Sequence, residues 1–100
     1  MTDKEYMLLK LKYGRVNFNL LVLINVLEKN NINFTVHEAR FTHIHINHIR
    51  IHNSSRYEGL MFVRGLGFPN MFCELHTLCN SIVDIIDGKV RFEDIGLVAQ

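Results

Sequence analysis

The sequence predicts one small α+β domain: a split β-α-β, ferredoxin-like sandwich with two helices on one face of an antiparallel sheet and an extra central hairpin. Three observations predict it. Apolar and polar residues alternate over 32–37 and again over 41–52, the period of strands with one buried face. Over 72–86 the apolar residues recur instead at three- and four-residue spacing, the period of an amphipathic helix. The 100 residues are 48% hydrophobic and 21% charged, a balance that buries one core and fits a single domain over 1–100.

Taken in order, residues 6–13 are apolar and aromatic-flanked and close on Gly14, which predicts a first strand followed by a turn. Asn17 stands where an N-cap would open a helix over 18–27, and Asn30 and Asn31 supply a solvated end tolerant of left-handed geometry. Ile32, Phe34 and Val36 share one face of a second strand. Over 41–52 the parity flips: Ile44 and Ile46 share a face, then Ile49 and Ile51 do. A bulge at Asn47-His48 would account for this, and so would a two-residue hairpin turn. Residues 53–56 form a turn cluster, and 60–63 a strand bounded by Gly59 and Gly65. Gly67-Phe68-Pro69 ends extended structure. Phe72, Leu75, His76, Cys79, Ile82, Val83 and Ile86 then line a second helix stopped by Gly88, and 90–93 reads as a last short strand.

Composition limits the function classes. The net charge of +1 argues for no partner by itself, so any electrostatic case is local. The apolar run around Leu20–Leu27 is broken by Asn25 and falls far short of the ~20 residues that span a bilayer. Asp3, Lys4 and Glu5 leave no basic-then-apolar leader, and the two cysteines read as free thiols, so a reducing cytoplasm is expected. Asn and Ile occur ten times each and Ala twice, a bias pointing to an AT-rich, phage- or mobile-element-type source.

Three segments carry candidate chemistry. In His43-Ile-His45-Ile-Asn47-His48, alternate imidazoles point the same way, so His43, His45 and His48 are candidate metal ligands, with zinc the candidate ion. The spacing is similar to the His-x-His-x-Asp-His motif of metallo-β-lactamase-type hydrolases. Asn47 replaces that family's aspartate and the chain is too short for its fold, so the resemblance is set aside. Cys73, His76 and Cys79 bring three soft ligands within two turns of a helix, but on its apolar stripe, where a free cysteine acts as a small hydrophobe. Between His37 and Leu66, Arg40, Arg50, Arg56 and Arg64 face only Glu38 and Glu58, with Tyr57 and Phe62 interleaved. Within this basic stretch, Gly59-Leu-Met-Phe-Val63 resembles the RNP1 signature of the RNA-recognition motif family. The resemblance implies base stacking from that strand; Leu60 and Gly65 stand where the family has aromatics, leaving Phe62 to carry it.

No phosphate-cradling loop is present: Gly65-Leu-Gly67 is short of both nucleotide patterns and could at most offer amides to an anion. Asp84, Asp87, Glu93 and Asp94 are spaced as a solvated face rather than as an acid and base pair. The expected protein is therefore non-enzymatic. The leading expectation is a small accessory factor that binds and modulates a host protein, homodimeric through spare strand edges. The second is a nucleic-acid-binding regulator using Arg40, Arg50, Arg56, Tyr57, Phe62 and Arg64, and the third a histidine-based metal binder.

Overall fold

The computed structural model describes every residue except Ala39, Leu66, Gly67, Ala99 and Gln100, and the backbone alone at Phe68, Pro69, Leu97 and Val98. The chain opens with helix α1, Asp3–Tyr13, where the sequence pattern predicts a strand. The decisive signal is local. Thr2 and Glu5 form a reciprocal capping box, the Glu5 N–H donating to Thr2 Oγ1 and the Thr2 N–H to Glu5 Oε1, both at 3.1 Å. Gly14 ends the helix at φ 53°. Helix α2, Phe18–Lys29, is opened by Asn17, whose side chain accepts the Leu20 N–H at 3.1 Å. It buries Leu20, Leu21, Leu23, Ile24 and Leu27, and Asn31 turns the chain away at φ 55°.

Helix α1 packs on α2 through Leu9, Tyr6 and Tyr13. Two ion pairs border the seam, Lys29–Glu5 at 2.8 Å and Lys12–Glu28 at 3.0 Å, and the Tyr13 hydroxyl donates to Glu28 at 2.7 Å. Exposed pairs of this kind are screened by solvent and stabilise little, so the apolar contact does most of the docking.

Six strands follow: β1 Thr35–Glu38, β2 Thr42–Ile46, β3 Ile49–Asn53, β4 Leu60–Gly65, β5 Phe68–Glu74 and β6 Leu97–Val98. They form one antiparallel sheet whose spatial order follows the chain, β1-β2-β3-β4-β5-β6. The parity flip at Asn47-His48 is a two-residue hairpin turn: Ile46 pairs with Ile49, and Asn47 supplies the positive φ of 55°. Helix α3, Leu75–Ile86, begins directly at the end of β5, capped by Glu74, which accepts the His76 N–H at 3.2 Å. Phe72 and Cys73 therefore belong to a strand, not to the helix their spacing predicts. The strand expected over 90–93 is replaced by a 3-10 turn, Phe92–Asp94, and the final strand comes later. Gly96 lets it approach β5; a Cβ there would lie 2.8 Å from Met71 Cε.

Of the expected sandwich, the antiparallel sheet and its helical layer are present, with three α-helices among the described residues rather than two. Ile44, Ile46, Ile49 and Ile51, with Met61, Val63, Met71 and Cys73, turn one face of the sheet into a single core with α2 and α3. Each fully buried aliphatic side chain there contributes about 1.5–3 kcal/mol. No helix among the described residues is long and apolar enough to cross a membrane.

Candidate functional site

Strand alternation sends the other half of the side chains to the opposite face of the sheet, which no helix covers among the described elements. Two rows of side chains cross it from strand to strand. The first is aromatic. His37 lies opposite His43, the His43 and His52 rings are 5.0 Å apart, His52 lies opposite Phe62, and Phe62 opposite Phe72. Successive rings are in contact, His52–Phe62 at 5.0 Å and Phe62–Phe72 at 5.1 Å. Phe41 stacks on His52 at 5.8 Å from one side, and Tyr57 meets Phe72 edge-on at 4.9 Å from the other. Phe41 is 50% exposed and Tyr57 42%.

The second row is polar and cationic: Thr35 lies opposite His45, His45 opposite Arg50, and Arg50 opposite Arg64. The His45 ring stacks on His37 at 3.8 Å, tying the two rows together. Like charges directly opposite one another destabilise a sheet. Among the described residues, Arg40, Arg50, Arg56 and Arg64 form no ion pair that would offset this. At one end of the row a concavity of ≈ 390 Å³ is lined by His45, Asn47, His48, Arg50, Arg64, Gly65 and Asn70, with no acidic side chain in its wall.

Electrostatics match the geometry. Partial burial holds the pKa of His43 below its ordinary value, helped by the neighbouring charge of His52, Arg64 and Arg50. Burial does the same to His45, reinforced by His37, Arg50, His43 and Arg64. These imidazoles are thus biased towards the neutral form. The His52 Nδ1–H donates to the Asn53 carbonyl at 2.7 Å, fixing that ring in the row.

The structure brings Arg50, Arg64, Phe62 and Tyr57 onto or beside this face. Arg56 sits over the Tyr57 ring at 5.3 Å, and Arg40 is exposed in the β1–β2 connection. His43 and His45 share the face while His48 sits on the hairpin turn, and no group of three or more His, Cys, Asp or Glu able to hold a metal occurs among the described residues. Zinc binding by His43, His45 and His48 thus lacks an assembled ligand set. Cys73 on β5 and Cys79 on α3 are free thiols, both pushed up to about 11 by burial, with the neighbouring negative groups adding to the shift. At neutral pH they are protonated and weakly nucleophilic. Of the Gly65-Leu-Gly67 segment, Leu66 and Gly67 lie outside the described residues.

Phe41 and Phe72 complete the aromatic row with His52 without having been singled out as functional residues by sequence reasoning. The parity of 41, 43 and 45 against Ile44 and Ile46 carried the signal for Phe41, and the parity of His52 against Ile51 did so for His52. Phe72 was hidden by its helix-like spacing to Leu75 and His76. No family model, no curated protein and no solved structure matches this chain.

Proposed function

We propose that this protein binds single-stranded nucleic acid on the open face of its sheet. The observation that carries the reading is the pairing of an aromatic row, Phe41-His52-Phe62 continued by Tyr57 packed on the buried Phe72, with an adjacent cationic row centred on Arg50 and Arg64. Aromatic rings offer stacking surface to any base, and cations one rung away reach the backbone phosphates. Recognition of this kind needs no deep pocket and tolerates a small net charge, because Arg50 and Arg64 place two positive groups side by side on the same face as the rings.

The fluorescence anisotropy of a labelled oligothymidylate tests it. Binding is expected to weaken as salt rises. Phe62→Ala is expected to lower affinity roughly 5- to 150-fold, the equivalent of about 1–3 kcal/mol for one stacked base. An affinity indifferent to both salt and Phe62 would remove the reading.

A protein partner is the second reading, and a specific observation favours it. Helix α1 leaves Met7, Leu8 and Leu11 exposed, Leu11 by 82%. The strand edges are less suited to the role. β1 has four residues and β6 two, and short edges are poor templates for strand addition. If a second copy covers α1, light scattering will give a dimer mass that Leu11→Glu reduces to a monomer. A monomer for the unsubstituted chain would exclude that copy.

A further inference from the structure

We infer that the notch between the β2–β3 hairpin and the start of β5 is a phosphate-binding site, formed by Arg50 and Arg64 with His45, His48, Asn47 and Asn70 around them. The inference rests on the open-face reading for the identity of the ligand, one phosphate of a bound strand, but its geometry stands apart from the aromatic row.

Three features point to an oxyanion. Arg50 and Arg64 are direct cross-strand partners, so their Cβ atoms lie about 5 Å apart and both guanidinium groups extend over the same patch. Unpaired, this arrangement is a cost; with an oxyanion between the two forks, it becomes a pair of charge-assisted hydrogen-bond donors. Most of the remaining wall carries groups able to donate. Asn47 and Asn70 offer amide N–H groups, His48 an imidazole on the turn, and His45 an imidazole whose acidic neighbours are absent from the notch. A hard-cation site would need carboxylates, the charges of Arg50 and Arg64 oppose any cation beside His45 and His48, and an apolar ligand site would not hold two arginines. The turn residue Asn47, held at φ 55°, fixes the rim, so the donors are carried by strands and a tight hairpin rather than by a long loop.

A phosphate held here would set the register of a strand along the sheet, because the next rung, His52 and Phe62, is the centre of the aromatic row. Both a backbone phosphodiester and a free phosphate present negatively charged non-bridging oxygens to the notch, and the experiment separates them.

The test follows arginine Nε–H and histidine ring signals by NMR during titration with inorganic phosphate, against sodium chloride at matched ionic strength. Saturable shifts confined to Arg50, Arg64 and the nearby histidines are expected, with Arg15 and Arg56 unmoved. The double variant R50Q/R64Q is expected to lose them, and R50K/R64K, which keeps the charge but not the fork, to retain only part. Non-saturating shifts at all arginines, reproduced by chloride, would overturn the site. The same samples are then titrated with an eight-residue oligothymidylate. A loss of about tenfold or more in R50Q/R64Q, against about twofold in an Arg15→Gln control, places a strand phosphate in the notch. Saturable phosphate binding without oligonucleotide binding leaves the notch standing as a small-phosphate site and removes the strand reading. Oligonucleotide binding that R50Q/R64Q weakens no more than the control, with phosphate acting only as chloride does, removes the notch and leaves the strand reading.

Discussion

Replacing Arg64 with glutamine should make the free protein more stable, although Arg64 is a surface residue with no apolar contact to gain. Arg64 stands directly opposite Arg50, and no carboxylate pairs with either among the described residues. Taking the two exposed charges as about 7 Å apart and an effective dielectric constant of about 60, between the near-surface value of about 20 and the bulk-water value of about 80, their repulsion is about 0.8 kcal/mol before screening. A Debye length of ~30 Å at 10 mM salt leaves about 0.6 kcal/mol, and ~8 Å at physiological salt leaves about 0.3 kcal/mol. For a domain of this size those values correspond to a rise in Tm of about 2–5 °C at low salt and about 1–3 °C at physiological salt. Circular dichroism melts of the unsubstituted chain and Arg64→Gln at the two salt concentrations measure it, with Arg56→Gln, which faces a tyrosine ring, as the control that should not gain. A variant no more stable at low salt, or a gain independent of salt, would refute the claim that the two guanidinium groups repel across the ladder.

Other outcomes follow from the same geometry. His43 and His45 have pKa values lowered on folding, by burial first and then by His52, Arg64 and Arg50 around His43 and by His37, Arg50, His43 and Arg64 around His45. The unfolded chain therefore takes up their protons first as pH falls. Stability should be full above about pH 6.5 and decline as pH drops through that value towards the lower folded pKa values; urea unfolding between pH 7.5 and pH 5 reads this, and a flat profile contradicts it. Ile51→Ala should cost about 2–5 kcal/mol in the same assay, while His52→Ala, its neighbour on the open face, should cost under about 1 kcal/mol. Equal costs would mean the two faces are misassigned. Thr2→Ala removes the α1 capping box and should cost about 1 kcal/mol, most of it recovered by Thr2→Ser. Cys73 and Cys79 should alkylate slowly at pH 7.5 in the folded protein and fast in urea, and fast labelling of the native form would contradict their burial-raised pKa values.

The sequence made α2 and most of α3 legible for physical reasons, and it marked the break at Asn47-His48 while leaving a bulge and a hairpin turn both open. Each has either a one-sided apolar pattern or a turn residue suited to its backbone, such as Asn17 at the α2 cap and Asn47 at the hairpin. Helix α1 was obscured because its apolar residues go all the way round: Leu9 faces the core while Met7, Leu8 and Leu11 face outward. Periodicity carries no helical signal in such a segment. The Thr2–Glu5 capping box was the available clue, and it outweighs the strand-like alternation that follows. Phe72 and Cys73 were assigned to α3 because a strand running straight into a helix keeps the three- and four-residue spacing across the junction; Glu74, an uncommon but competent cap, marks the true boundary.

The candidate site was legible as composition and not as arrangement. Arg50, Arg64 and Phe62 stood out as basic and aromatic residues, but that two of them oppose one another, and that His52 and Phe72 complete a row with Phe62, depends on strand register. Register in turn depends on where the hairpin turns. Shifting β3 by one residue would send Arg50 and His52 into the core and expose Ile51, so the buried isoleucines fix the chemistry of the opposite face.

Backbone amide shift mapping with an eight-residue oligothymidylate tests the central claim most directly. Saturable changes concentrated on β2, β3 and β4 around His43, His45, Arg50, His52, Phe62 and Arg64, with α1 and α3 unmoved, are the predicted result. Changes centred on Met7, Leu8 and Leu11, or none at millimolar oligonucleotide, would contradict it.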